Sequence, residues 1–182
     1  MNSHLPTVVC VAALVLGTAA FVQDPTPKAN ELLSPVVSFR GEHSAIDETR
    51  YVKITDEQAW AGLWCEHIAK AERGDYGYFY NPKNVPIIDF KQCMVIAIFQ
   101  GERWNTAGVT CEEVLDGKQL TLRFDGLGYQ TTVIDPDDAE AQEKSRPFGM
   151  FVLPKSDKVI LLEENVQNRI NQPPKWRARG KL

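Results

Sequence analysis

The stretch Cys93-Met94-Val95-Ile96-Ala97-Ile98-Phe99 constrains this chain more than any other. It is apolar at every position, so a strand built from it has two faces to keep from water. It reads as a central strand covered on both sides. Its neighbours read differently. Arg50-Tyr51-Val52-Lys53-Ile54 alternates polar with apolar, and Leu120, Leu122 and Phe124 alternate on one face. Those are half-buried strands.

One segment has helical period instead. Trp60, Leu63, Trp64, His67, Ile68 and Ala71 fall on one stripe. Thr55 with Gln58 three residues on forms a capping box, and Asp56 and Glu57 put negative charge in the first turn. Arg73-Gly74 ends the run. Two tryptophans on one stripe would cover much of a sheet face.

Further strands are expected at Val36–Phe39, Gly108–Leu115, Tyr129–Ile134, Phe148–Leu153 and Val159–Leu162. The first of these and Arg50–Ile54 suggest a hairpin with a long tip. Asp116-Gly117 is a hairpin turn. Asp135-Pro136 would start a brief acidic helix through Lys144. Strands, one helix, then a run of strands describe an α+β domain: a mostly antiparallel sheet with one amphipathic helix packed on it. The alternative is a small two-sheet sandwich.

Organisation follows from the ends. Met1 to about Ala20 reads as a signal peptide: Val8–Ala19 carries no charge, and Thr18 and Ala20 suit a cleavage site before Phe21. An uncleaved membrane anchor is the alternative. Residues 21–34 read as a linker, 35–164 as a single β-rich domain, and 165–182 as a basic, disordered tail carrying Lys175, Arg177, Arg179 and Lys181. The chain is therefore expected to be exported, periplasmic or extracellular, with no membrane contact after cleavage of the leader. A net charge of −4 gives no attraction to nucleic acid.

Cys65, Cys93 and Cys111 remain once the leader, with Cys10, is removed. Three buried thiols account for them, and a Cys93–Cys111 bridge across neighbouring strands is the alternative. No pair has metal-ligand spacing, and no metal or cofactor is expected. The acids Asp135, Asp137, Asp138, Glu140 and Glu143 lack the spacing of a calcium loop and suit a solvated helix start.

Catalytic candidates are sparse. His43 and His67 are the histidines outside the leader, and with Asp89 and Cys93 they sketch a base, an orienter and a nucleophile. No nucleophile motif supports that sketch, and His67 lies on the packing stripe of the helix. Tyr76, Tyr78 and Tyr80 alternate, so on an extended segment they project from one side. With Arg103 and Trp104 they form the expected contact surface, since exposed aromatics anchor partners or stack on sugars.

The order of motifs resembles a known family. Trp60-Ala61-Gly62-Leu63-Trp64 is similar to the helix of the PrcB C-terminal-like family, exported bacterial proteins named for a protease-complex subunit. Val85-Pro86-Ile87-Ile88-Asp89-Phe90 resembles that family's entry into its central strand. Gly101, Arg103, Thr106 and Gly108 match its following turn with one residue inserted, and Ser145-Arg146-Pro147-Phe148 resembles the segment opening a closing strand. The resemblance spans roughly residues 50–162 and carries no catalytic residues. It implies an exported, non-enzymatic module that binds a protein partner in the cell envelope, assisting or stabilising a protease or other complex. A carbohydrate-binding module using the same aromatics, and a hydrolase using His43 or His67, are the alternatives.

Overall fold

A computed structural model describes residues 31–68, 85–129, 144–167, 169 and 171–182. The fully apolar run becomes β4 (Cys93–Gln100), whose residues from Met94 onward are buried. Its register explains why both faces are apolar. Met94, Ile96 and Ile98 pack into one core cluster, and Val95, Ala97 and Phe99 into another.

β4 sits inside a four-stranded antiparallel sheet with β2 (Val37–Gly41), β9 (Phe148–Pro154) and β3 (Thr49–Ile54), in the order β2-β9-β4-β3. A five-stranded sheet lies against one face. It is built from β1 (Glu31–Leu33), β6 (Thr106–Asp116), β7 (Leu120–Gly128), β10 (Ile160–Asn165) and β11 (Trp176–Lys181), in that order. Val109, Leu122, Phe124, Ile160 and Leu162 of that sheet meet Met94, Ile96, Ile98, Phe151 and Leu153 of the first. The other face of the smaller sheet is covered by α1 (Glu57–Ile68), through Trp60 and Leu63 against Ile54, Val95, Phe99 and Met150. The molecule is α+β and layered sheet on sheet on helix. The packed helix and the sandwich are both present, because β4 and β9 each have two apolar faces.

The tryptophan stripe behaves as its period requires. Trp60 is buried, its indole N–H donates to Pro86 O at 2.8 Å, and its ring lies 5.2 Å from that of Trp64. The cap lies one residue later than the sequence implies. Ala59 N–H donates to Asp56 Oδ1 at 2.8 Å, which makes Asp56 the N-cap and leaves Gln58 too early for a capping box.

Three other expectations are corrected. β2 and β3 do not form a hairpin: β9 and β4 stand between them. The domain begins before residue 35, since β1 pairs with β6. The C-terminal segment is no disordered tail: β11 pairs antiparallel with β10, and Leu182 exchanges two 2.9 Å backbone hydrogen bonds with Ile160 and packs against the inter-sheet core. This strand was masked by its charge. An edge strand needs only one apolar face, and cations guard its free side. β10 is thereby an inner strand, parallel to β7 and antiparallel to β11.

The leader, the end of the stripe beyond Ile68, and the acidic segment 135–143 lie outside the described residues. Among the described residues, no helix is long and apolar enough to cross a membrane.

Candidate functional site

Arg103 and Trp104 form β5, which leaves the larger framework as a short ribbon paired with β8 (Lys144–Ser145). Two left-handed residues bracket it, Gly101 at φ 67° and Asn105 at φ 50°. Gly101 is required there, because a Cβ would approach Asp47 O at 3.0 Å and its φ is strained for other residues. Between those two bends the chain turns out of β4 before entering β6.

Trp104 is 50% exposed. It is braced, not loose. Lys144 Nζ lies 5.0 Å from its ring centre and also pairs with Glu102 at 2.8 Å. Thr106 Oγ1 donates to Trp104 O at 3.0 Å. Arg103 is exposed, and its Nη1 donates to Glu102 O at 3.1 Å. Successive strand residues point to opposite sides, so the two flank a projecting ribbon and do not tile one flat face. Tyr76, Tyr78 and Tyr80 lie outside the described residues.

The histidines are separated. His43 is exposed, 3.5 Å from Glu42. His67 is buried, its Nδ1 hydrogen-bonded to Ser44 Oγ at 3.0 Å, and its ring centre lies 4.1 Å from that of Phe148. Burial lowers its pKa to about 4. The pair has the spacing of a base and a nucleophile. Ser44 is itself buried, and its Oγ also accepts Ile46 N–H at 3.1 Å. Asp89 is exposed and caps a turn by accepting Lys91 N–H at 2.9 Å.

Cys65, Cys93 and Cys111 are free thiols. Cys93 packs with the helix-side cluster and Cys111 with the inter-sheet cluster, so the smaller sheet separates them and they do not form a bridge. Among the described residues, no group of three or more His, Cys, Asp or Glu side chains is placed to hold a metal ion.

A polar cleft of about 280 Å³ opens where β11 returns, lined by Glu112, Glu113, Asp125, Asn165, Gln172 and Trp176 among others. Sequence reasoning missed it because half of its wall was assigned to a disordered tail. Its acids already have donors. Arg123 bridges Glu113 at 2.8 Å and Glu163 at 2.9 Å beneath the Trp176 ring, Asn165 Nδ2 donates to Asp125, and Thr110 Oγ1 to Glu112. Asp125 has its pKa raised, by burial first and then by Glu112 and Glu164, against the opposing Asn165 and Gly126 donors.

Comparison with protein-family models, curated proteins and solved structures finds no match to this chain.

Proposed function

We propose that this chain is an exported, non-catalytic module that binds a protein partner in the cell envelope, assisting or stabilising a protease or other complex. The supporting observation is the β5–β8 ribbon: a half-exposed, braced tryptophan beside an exposed arginine. Tryptophan and arginine are the residue types that dominate binding energy at protein interfaces. A fixed indole loses little rotamer freedom on docking, so more of its burial appears as affinity. The motif order shared with PrcB C-terminal-like proteins points the same way.

The protein reading is preferred to the carbohydrate one because Lys144 already covers the Trp104 ring, and a stacked sugar would compete with it. It is preferred to the hydrolase reading because His67 and Ser44 are both buried, with Phe148 against the imidazole. The test is affinity capture from an envelope fraction with the wild-type chain and with the Arg103→Ala, Trp104→Ala double variant. A captured protein lost with the double variant, while its folding is unchanged, supports the proposal. Identical capture by both chains overturns it, as does retention on polysaccharide resin that depends on Trp104.

A further inference from the structure

β11 is the last strand of the five-stranded sheet, and among the described residues no strand pairs with its far side. Its bonds to β10 fix which peptide groups are left free. Lys175 O accepts Val166 N–H at 2.8 Å, and Leu182 exchanges both of its bonds with Ile160. Antiparallel alternation, counted from either end, then turns the peptide groups of Trp176, Ala178 and Lys181 away from β10. The edge is also uncrowded: Ala178 is exposed, and a Cβ on Gly180 would meet nothing within 4 Å.

The charge on this edge runs against that of the whole chain. The net charge is −4, yet Lys175, Arg177, Arg179 and Lys181 fall within one short segment that has no acid of its own. Arg179 is paired with Glu164. Lys175, Arg177 and Lys181 are exposed and pair with no carboxylate among the described residues. The carboxylates of β10 are engaged elsewhere, since Glu163 is held by Arg123 and Glu164 by Arg179. Glu112, Glu113 and Asp125 stand further in, on β6 and β7, and face the cleft at Trp176.

The free cations flank the edge on both sides. Trp176 lies over Arg123 on the outer face of the sheet, so Arg177, its neighbour in the strand, projects from the opposite face. Leu182 packs into the inter-sheet core, so Lys181 projects from the outer face. Cations on an edge repel a strand of like charge and discourage indiscriminate pairing. The same cations attract a strand that carries carboxylates on both of its faces.

We propose that the outer edge of β11 is a docking site for an extended acidic segment of a partner protein, which adds to the five-stranded sheet as a further strand. Main-chain bonds to Trp176, Ala178 and Lys181 would supply affinity, and carboxylates beside Arg177 and Lys181 would supply specificity. The site is separate from the Trp104 ribbon and does not depend on it.

The experiment uses the full chain and a blocked, fluorescein-labelled hexapeptide of glutamates around two central valines. One control peptide carries lysine in place of glutamate. A second keeps the acidic sequence but is N-methylated at every backbone amide, which preserves its charge and removes the donors that a strand needs. Fluorescence anisotropy reads affinity, and amide exchange reads protection at Trp176, Ala178 and Lys181. The acidic peptide should bind, slow exchange at those amides and weaken as salt is raised. The double variant Arg177→Glu, Lys181→Glu should weaken binding about tenfold or more while its melting temperature shows that it folds. Trp104→Ala should bind the peptide as wild type does. No binding of the acidic peptide at about 1 mM overturns the proposal. Equal binding of the lysine peptide or of the N-methylated peptide does the same, as does undiminished binding by the folded double variant. Tighter binding of a short single-stranded oligothymidylate than of the acidic peptide would also overturn it, by showing that the cations serve a phosphate backbone.

Discussion

His67 Nδ1 lies 3.0 Å from Ser44 Oγ, and this buried hydrogen bond ties the last turn of α1 to the loop that precedes β3. A second link runs beside it, Ala45 N–H donating to His67 O at 2.8 Å. The imidazole is held neutral because burial disfavours its charged form, which lowers its pKa from 6.5 to about 4. Between those values the unfolded chain binds a proton that the folded one does not. Stability therefore rises with pH across that window and is lost as pH falls through it. The loss by pH 4 should be on the order of 3 kcal/mol from this residue. Urea titrations at pH 4.5 and 7.5 would measure it. His67→Gln should flatten this part of the profile, whatever it does to stability at neutral pH.

At Gly149 of β9 the backbone of β6 in the other sheet comes close. A Cβ there would lie 2.8 Å from Val109 O and 2.6 Å from the Phe151 ring. The ring could shift, but the carbonyl is backbone. Gly149→Ala should therefore destabilise the fold by about 1–3 kcal/mol through overpacking. Gly62→Ala is the control, because the space beside Gly62 is open. In an exposed helix that change should stabilise by roughly 0.5–1 kcal/mol. Denaturant midpoints of the two variants should move in opposite directions.

What the sequence disclosed follows from where burial acts. β4 was legible because it is apolar on both faces, and α1 because its tryptophans keep helical period. The pairing of β2 with β9 was not legible, since their partners are far apart in sequence and alternation says only that a face is buried. β11 was missed because Trp176-Arg177-Ala178-Arg179-Gly180-Lys181 has almost no apolar alternation. With it went the Trp176 wall of the polar cleft. Arg103 and Trp104 are exposed on β5, while the buried Ser44 contact of His67 joins segments 23 residues apart and carried no local signal.

The β11 correction has a direct consequence. This strand supplies the Leu182 contacts with the core, the Trp176 ring over Arg123 and the ion pair of Arg179 with Glu164. Deleting residues 176–182 should cost roughly 2–4 kcal/mol from lost apolar burial and hydrogen bonds. Amide exchange at Ile160, whose N–H donates to Leu182 O, should accelerate before exchange in β4 does. A disordered tail would leave both the melting temperature and the exchange pattern of β10 unchanged.

Cys111 offers a test of the inter-sheet core. It packs against that core from β6, and its thiol pKa is pushed up to about 12, by burial first and by the neighbouring Glu112 second. Alkylation requires the thiolate, so at pH 8 only about one molecule in ten thousand is reactive at this position. In a titration with Ellman's reagent, Cys111 should be the slowest of Cys65, Cys93 and Cys111. Cys111→Ser should abolish the slow phase and leave the others intact. Glu112→Gln should quicken it only modestly, because burial is the larger cause. Mild urea should accelerate it far more, by opening the sheets and admitting water. A Cys111 that reacts as fast as a free thiol would mean that β6 does not close the sandwich.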